Sequence, residues 1–188
     1  MKKGLLIVVS GPSGVGKGTV LNEFVHDPVL NIGYSISMTT RPIREGEKEG
    51  VNYFYRSKEE FMAAVDRGEL LEYAEYNGNY YGTPAAYVEE LRNKGINVLL
   101  EIEGKGAKQV KEKCPECVNI FMAPPSFEEL GKRLRGRGTE TEEVILERLA
   151  IAEEEMKNAF LYKYVITNEK IATCAKVLRS IIEAHMEE

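Results

Sequence analysis

A chain of 188 residues, 43% hydrophobic and 29% charged, has the size and make-up of one globular core and excludes a disordered or fibrous protein. Its net charge of −5 argues against a broad nucleic-acid surface, which needs many basic contacts to phosphate, so the basic residues that act must be focused locally. No apolar run is long enough to cross a bilayer and only Lys2 and Lys3 precede the first one, without a signal-peptide pattern, so a cytoplasmic protein without membrane or nucleic-acid partners is expected.

From the start of the chain, Leu5 to Ser10 is a short apolar run with the pattern of a buried strand. It leads into Gly11-Pro12-Ser13-Gly14-Val15-Gly16-Lys17, and Thr19 to Val25 then reads as a helix. A glycine-rich loop between strand and helix lets backbone N–H groups converge on one anion. The helix start adds partial positive charge, and Lys17 reaches the β and γ phosphates of a nucleoside triphosphate. Gly11 to Thr19 are therefore assigned to triphosphate binding. After the lysine, where the general motif has the serine or threonine that ligates magnesium, stands Gly18. Thr19 is left as a stand-in ligand, the alternative being Mg²⁺ held mainly by triphosphate oxygens and water.

Residues 34–81 are rich in tyrosine, arginine and glycine, with an Asn77-Gly78 turn between strand-like runs, and predict a small β-containing flap inserted after the first βα unit. Ser57 with Glu60 and Ser126 with Glu129 read as capping boxes, and Thr83 as a cap before Pro84 at the first helical position. Val98 to Ile102, Val118 to Ala123 and Tyr164 to Thr167 are further buried-strand patterns, each followed by an amphipathic stretch. That alternation predicts an α/β fold with a parallel sheet covered by helices. Glu101 and Glu103, two residues apart, point to the same side at the strand's carboxyl end, where open α/β sheets bind ligands. They are assigned to water-mediated magnesium binding or to an acceptor nucleotide, the plainer alternative being solvated loop acids. Gly136 to Glu143, between two helical patterns, has the composition of a lid. Cys114 and Cys117 have CxxC spacing, but Cys174, His26 and His185 are too scattered to complete a zinc site, and reduced thiols are expected. There is no repeat and no linker, so one unit over 1–188 is expected.

The segments Ser35 to Gly46, Gly50 to Phe54, Glu72 to Thr83, Ala123 to Ser126 and Arg137 to Thr141 resemble, in order, segments of the guanylate kinases, a bacterial-type group among the P-loop nucleoside monophosphate kinases. The resemblance implies a three-layer P-loop NTPase fold with an inserted mixed-β acceptor-binding region at about 35–83 and a short helical lid at about 136–148. It also implies ATP as donor, GMP as acceptor, Mg²⁺ as cofactor and a place in purine nucleotide metabolism. Arg41, Arg44, Tyr53 and Tyr81 then hold the acceptor's phosphate, as forked guanidinium and phenolic donors suit a dianion. Glu72 receives the N1–H and N2–H₂ of guanine, with Ser37 and Thr83 as hydroxyl partners; by its residue type alone Glu72 reads as an exposed strand position. Arg133, Arg137 and Arg148 match family arginines on ATP, with Lys17, Arg41, Arg137 and Arg148 as the catalytic cations and Asn168 near adenine. Arg135 has no family role. Arg133 and Arg148 also fit helix-surface residues paired with Glu129 or Glu147. Lys105 stands where the family usually has glutamine. Two rivals share parts of this pattern: kinases of AMP or dTMP, and the partner-binding guanylate-kinase-like modules of scaffold proteins.

Overall fold

The computed structural model describes residues 2–76, 78–136 and 141–187. Its first half contains β1 (Leu6–Ser10), α1 (Lys17–Asn22), β2 (Ile32–Tyr34), β3 (Met38–Thr39), β4 (Phe54–Tyr55), α2 (Lys58–Asp66), β5 (Leu70–Tyr76), β6 (Asn79–Pro84) and α3 (Ala85–Asn93). The second half runs through β7 (Asn97–Glu101), α4 (Gly104–Lys113), β8 (Val118–Ala123), α5 (Phe127–Arg135), α6 (Glu142–Lys157), β9 (Tyr164–Thr167) and α7 (Ile171–Glu187). Among the described residues no helix is long and apolar enough to cross a membrane.

Five parallel strands form the central sheet in the order β2-β7-β1-β8-β9. Every residue of β1 and β8 is buried, as expected of parallel strands covered on both faces. Alternation divides them: Ile7 and Val9 pack with Leu21 of α1 and Leu178 and Ile182 of α7, whereas Leu6 and Val8 pack with Val88 of α3 and Val110 of α4. The expected three layers are present. A second, mixed sheet has the order β4-β3-β6-β5, with β3 and β4 parallel and the other pairs antiparallel. Phe61 and Ala64 of α2 close its face against Leu70.

The four predicted core strands lie within one residue of their expected starts and ends. Ser57 and Glu60 form the reciprocal capping box of α2. Ser126 accepts the Glu129 N–H as expected, while the Glu129 carboxylate pairs with Arg133. Thr83 needs correcting: it belongs to β6, Pro84 is the N-cap of α3 without a side-chain cap, and the Thr83 hydroxyl is committed elsewhere. Asn77 of the expected turn lies outside the described residues, as do Arg137 and the three residues after it.

Asn97 ties the sheet's start together. Its buried amide accepts the Leu5 N–H at 2.8 Å and donates to the Leu30 carbonyl at 2.7 Å, joining three segments. Asn97→Leu would strand both backbone groups in the core and should lower unfolding free energy by about 2–4 kcal/mol, measurable by urea denaturation.

Candidate active site

The carboxyl end of β1 opens into the glycine loop. Gly11, Gly14 and Gly16 have φ of 147°, 86° and 96°, and a Cβ on Gly11 would stand 2.2 Å from the Met122 carbonyl oxygen of β8, so backbone conformation and space both demand glycine there. The loop is braced by its Val15 carbonyl, which accepts from Asn168 Nδ2 at 2.8 Å and Arg133 Nη1 at 3.3 Å. Arg133 also reaches the Asn168 carbonyl at 3.1 Å and Glu129 at 3.1 Å, so it is both helix partner and loop brace. Asn168 is 3% exposed, and its Oδ1 has no hydrogen-bond partner among the described residues. The N-cap of α1 is Gly16, which has no side chain to cap the helix, so among the described residues its first N–H groups are left to the loop's concavity. Arg148 Nη1 donates to Ser13 Oγ at 3.2 Å, bringing α6 onto the loop.

Lys17 folds back across the loop, donating to the carbonyls of Gly11 at 2.5 Å and Pro12 at 3.3 Å. Burial pushes its ammonium below the usual lysine range, against the opposing charges of Glu101, Glu155 and Glu103. Glu101 and Glu103 thus lie within electrostatic reach of the loop lysine. A Cβ on Gly18 would sit 3.7 Å from both Glu101 carboxylate oxygens. The position that lost the hydroxyl therefore faces a hard anionic donor, a setting that fits a hydrated divalent ion. Thr19 is exposed on α1.

Glu155 is a member of this group that sequence reasoning missed. It projects from α6, accepts the Gly104 N–H at the start of α4 at 3.2 Å, and its carboxyl is pushed up by burial. Its only sequence signal was an acid in an acidic helical stretch.

The second cluster lies on the inserted sheet. Between Leu70↔Pro84 and Tyr73↔Gly82, β5 advances three residues while β6 advances two, a β-bulge. Strict alternation would put Glu72 on the face of Leu70. The extra residue instead leaves Leu70 and Tyr73 packing with Phe61, turns Leu71 into the central core and sends Glu72 against α4. There Glu72 is only 7% exposed, and its Oε1 accepts the buried Thr83 hydroxyl at 2.6 Å. A Cβ on Gly106 would stand 2.8 Å from Oε2, so that glycine is what admits the carboxylate. Gln109, one turn on, accepts the Tyr73 N–H at 3.1 Å and donates to the Tyr73 carbonyl at 3.0 Å, pairing with the free edge of β5 as a neighbouring strand would. Burial raises the Glu72 carboxyl above the usual range, with Thr83 and Lys113 pulling the other way.

Around the same sheet, the Arg41 guanidinium lies over the rings of Tyr53 at 5.3 Å and Tyr55 at 5.9 Å, with Tyr81 edge-on to Tyr53. Glu47 grips Arg41 through both oxygens. Arg44 and Ser37 flank this group in the loops around β3, Arg44 exposed and Ser37 half-buried.

Comparison with known proteins adds the family. The guanylate kinase family model matches residues 3–185. The chain belongs to the guanylate kinase family. It is 54% identical to a guanylate kinase of Streptococcus agalactiae serotype III over 97% of this chain and 88% of that one. It is 53% identical to one of Streptococcus pyogenes serotype M3 over 97% and 86%. Among solved structures it resembles guanylate kinase from Anaplasma phagocytophilum, with a TM-score of 0.71 at 35% identity, covering 100% of this chain and 89% of that one.

The buried Glu72 carboxyl has a stability consequence. Because its folded value is raised, the folded state holds the proton longer, and stability is lost as pH rises from the ordinary carboxylate range through that raised value. Glu72→Gln should therefore melt higher than the parent near neutral pH, with the difference vanishing below about pH 4; melting midpoints across pH check this.

Proposed function

We propose that this guanylate kinase transfers the γ-phosphoryl group of ATP to GMP, giving ADP and GDP, with ATP on the glycine loop and GMP on the inserted sheet. The observation that carries the acceptor is the buried Glu72 carboxylate beside the Thr83 hydroxyl. Guanine presents N1–H and N2–H₂ as adjacent donors and O6 as an acceptor, matching a carboxylate backed by hydroxyls. Adenine presents a lone pair at N1, which a buried carboxylate repels.

In this reading the backbone of Gly11 to Val15 and Gly16 to Thr19 encloses the triphosphate, Asn168 lies by adenine, and Arg133, Arg137 and Arg148 neutralise the donor's phosphates. Arg41, Arg44, Tyr53 and Tyr81 hold the acceptor's phosphate, with Ser37 by the base and Glu101 and Glu103 at the acceptor's side of the loop. Lys17 leaves the Gly11 and Pro12 carbonyls for phosphate oxygens. Charge spreads over the equatorial oxygens during transfer, so fixed cations lower the barrier without covalent chemistry by the protein. Mg²⁺ would be held through water by Glu101 and Glu103 with Thr19 nearby, and when bound it offsets phosphate charge. Residues 35–83 act as the acceptor-binding region and 136–148 as the lid, excluding water that would otherwise hydrolyse ATP. Small-molecule nucleotides in the cytoplasm are the partners in this reading.

A coupled assay of ADP formation with ATP and Mg²⁺ tests it. GMP should support turnover, whereas AMP and dTMP should not; turnover with either of those but not GMP would overturn the acceptor. Glu72→Gln should lower kcat/KM for GMP by roughly ten- to hundredfold and leave the KM for ATP unchanged. Lys17→Met should abolish transfer.

A further inference from the structure

Arg41 has five N–H donors, and three of them go to Glu47 and the Pro42 carbonyl. Nη1 donates to Glu47 Oε2 at 3.0 Å and to the Pro42 carbonyl at 2.8 Å, and Nη2 donates to Glu47 Oε1 at 2.8 Å. Glu47 therefore takes the outer edge of the guanidinium, between the two terminal nitrogens. The pair that neither Glu47 nor Pro42 uses, Nε–H and the second Nη2–H, are parallel neighbours on the side edge, a fork suited to two oxygens of one phosphate. The Tyr81 phenol also hydrogen-bonds the same guanidinium, so a second phosphate-side group gathers at Arg41.

Glu47 is itself held by more than Arg41. Its Oε2 accepts the Arg44 backbone N–H at 2.8 Å and the Tyr55 hydroxyl at 2.8 Å, and its own N–H donates to the Arg44 carbonyl at 3.1 Å. Arg41 and Glu47 side chains are only 10% and 19% exposed. One carboxylate thus orients the side chain of Arg41 and the backbone of Arg44. These contacts keep the Glu47 carboxyl down at about 2, so it stays charged across the working pH range.

We infer that Glu47 is a positioning residue for the acceptor's phosphate: it anchors Arg41 by its outer edge so that the side edge is presented to a nucleoside monophosphate dianion. A carboxylate on an anion-binding arginine could instead be a competitor that the phosphate must displace. The geometry favours the anchor, because Arg44 N–H and Tyr55 O–H hold Glu47 in place independently of Arg41, and because Glu47 engages only the outer edge of the guanidinium.

This inference rests on the reading of Arg41 as a phosphate ligand, and a double-mutant cycle separates the two. Glu47→Gln keeps an oxygen for Arg44 and Tyr55 but turns a donor toward Arg41. The KM for GMP should rise roughly ten- to hundredfold. The KM for ATP should be unchanged, which also reports an intact core. In an Arg41→Ala background, Glu47→Gln should change the GMP constant by no more than about twofold. Glu47→Asp, which retains the charge, should recover part of the loss. Unchanged or tighter GMP binding in Glu47→Gln, or effects of Glu47→Gln and Arg41→Ala that multiply as independent sites do, would overturn the anchor. If Arg41→Ala alone leaves the KM for GMP unaltered, the phosphate-ligand reading of Arg41 fails instead.

Discussion

Glu72 is a carboxylate placed where water hardly reaches, and the inserted sheet is arranged around that fact. Ionising a buried carboxyl is unfavourable, and here the compensation from the protein is partial: the hydroxyl and the backbone N–H of Thr83 and the more distant charge of Lys113. The remaining acceptor capacity is what a ligand with two adjacent donors can satisfy. Local backbone irregularity makes this arrangement available. The bulge at Leu71 and Glu72 turns the side chain out of the Phe61 cluster, Gly106 leaves room for it, and Gln109 pairs with the strand edge just beyond it. Two of these supports lie on α4, which begins directly after Glu103, so the helix that follows Glu101 and Glu103 also fixes Glu72.

The glycine loop shows a related economy of charge. Lys17, half-buried, rests on two loop carbonyls and is balanced at longer range by Glu101, Glu103 and Glu155. In the proposed reading a triphosphate exchanges those carbonyl contacts for ion pairs with phosphate oxygens. The missing hydroxyl at Gly18 leaves space filled from one side by the Glu101 carboxylate, which explains how a loop without the usual serine or threonine keeps an oxygen donor at that corner.

Much of this was legible in the residues. The buried strands were read from uninterrupted apolar runs because parallel strands lose water on both faces, and the phosphate loop from glycines between a strand and a helix. The Ser57 box was readable because its partners are three residues apart. What escaped was set by distant contacts. Thr83 looked like a helix cap because it precedes Pro84, but its hydroxyl goes to Glu72, and only the folded hairpin puts that carboxylate opposite it. By composition Glu72 itself was an exposed strand residue; the bulge that buries it leaves no mark in local periodicity. Glu155 joins Gly104 across 51 positions, and Gln109 joins Tyr73 across 36, spacings that no local pattern encodes. Glu47 passed as one more acid in a charged loop until its four hydrogen bonds to Arg41, Arg44 and Tyr55 were seen together.

The central claim is that a buried carboxylate selects the acceptor by counting donors on one edge of a purine. Its most direct measurement compares kcat/KM for GMP and for IMP, which keeps N1–H and O6 but lacks the N2 amino group. Loss of the N2 donor leaves a buried Glu72 oxygen without its match and should make IMP poorer by roughly ten- to hundredfold. Equal efficiency for the two nucleotides would contradict the account and remove Glu72 from the base edge.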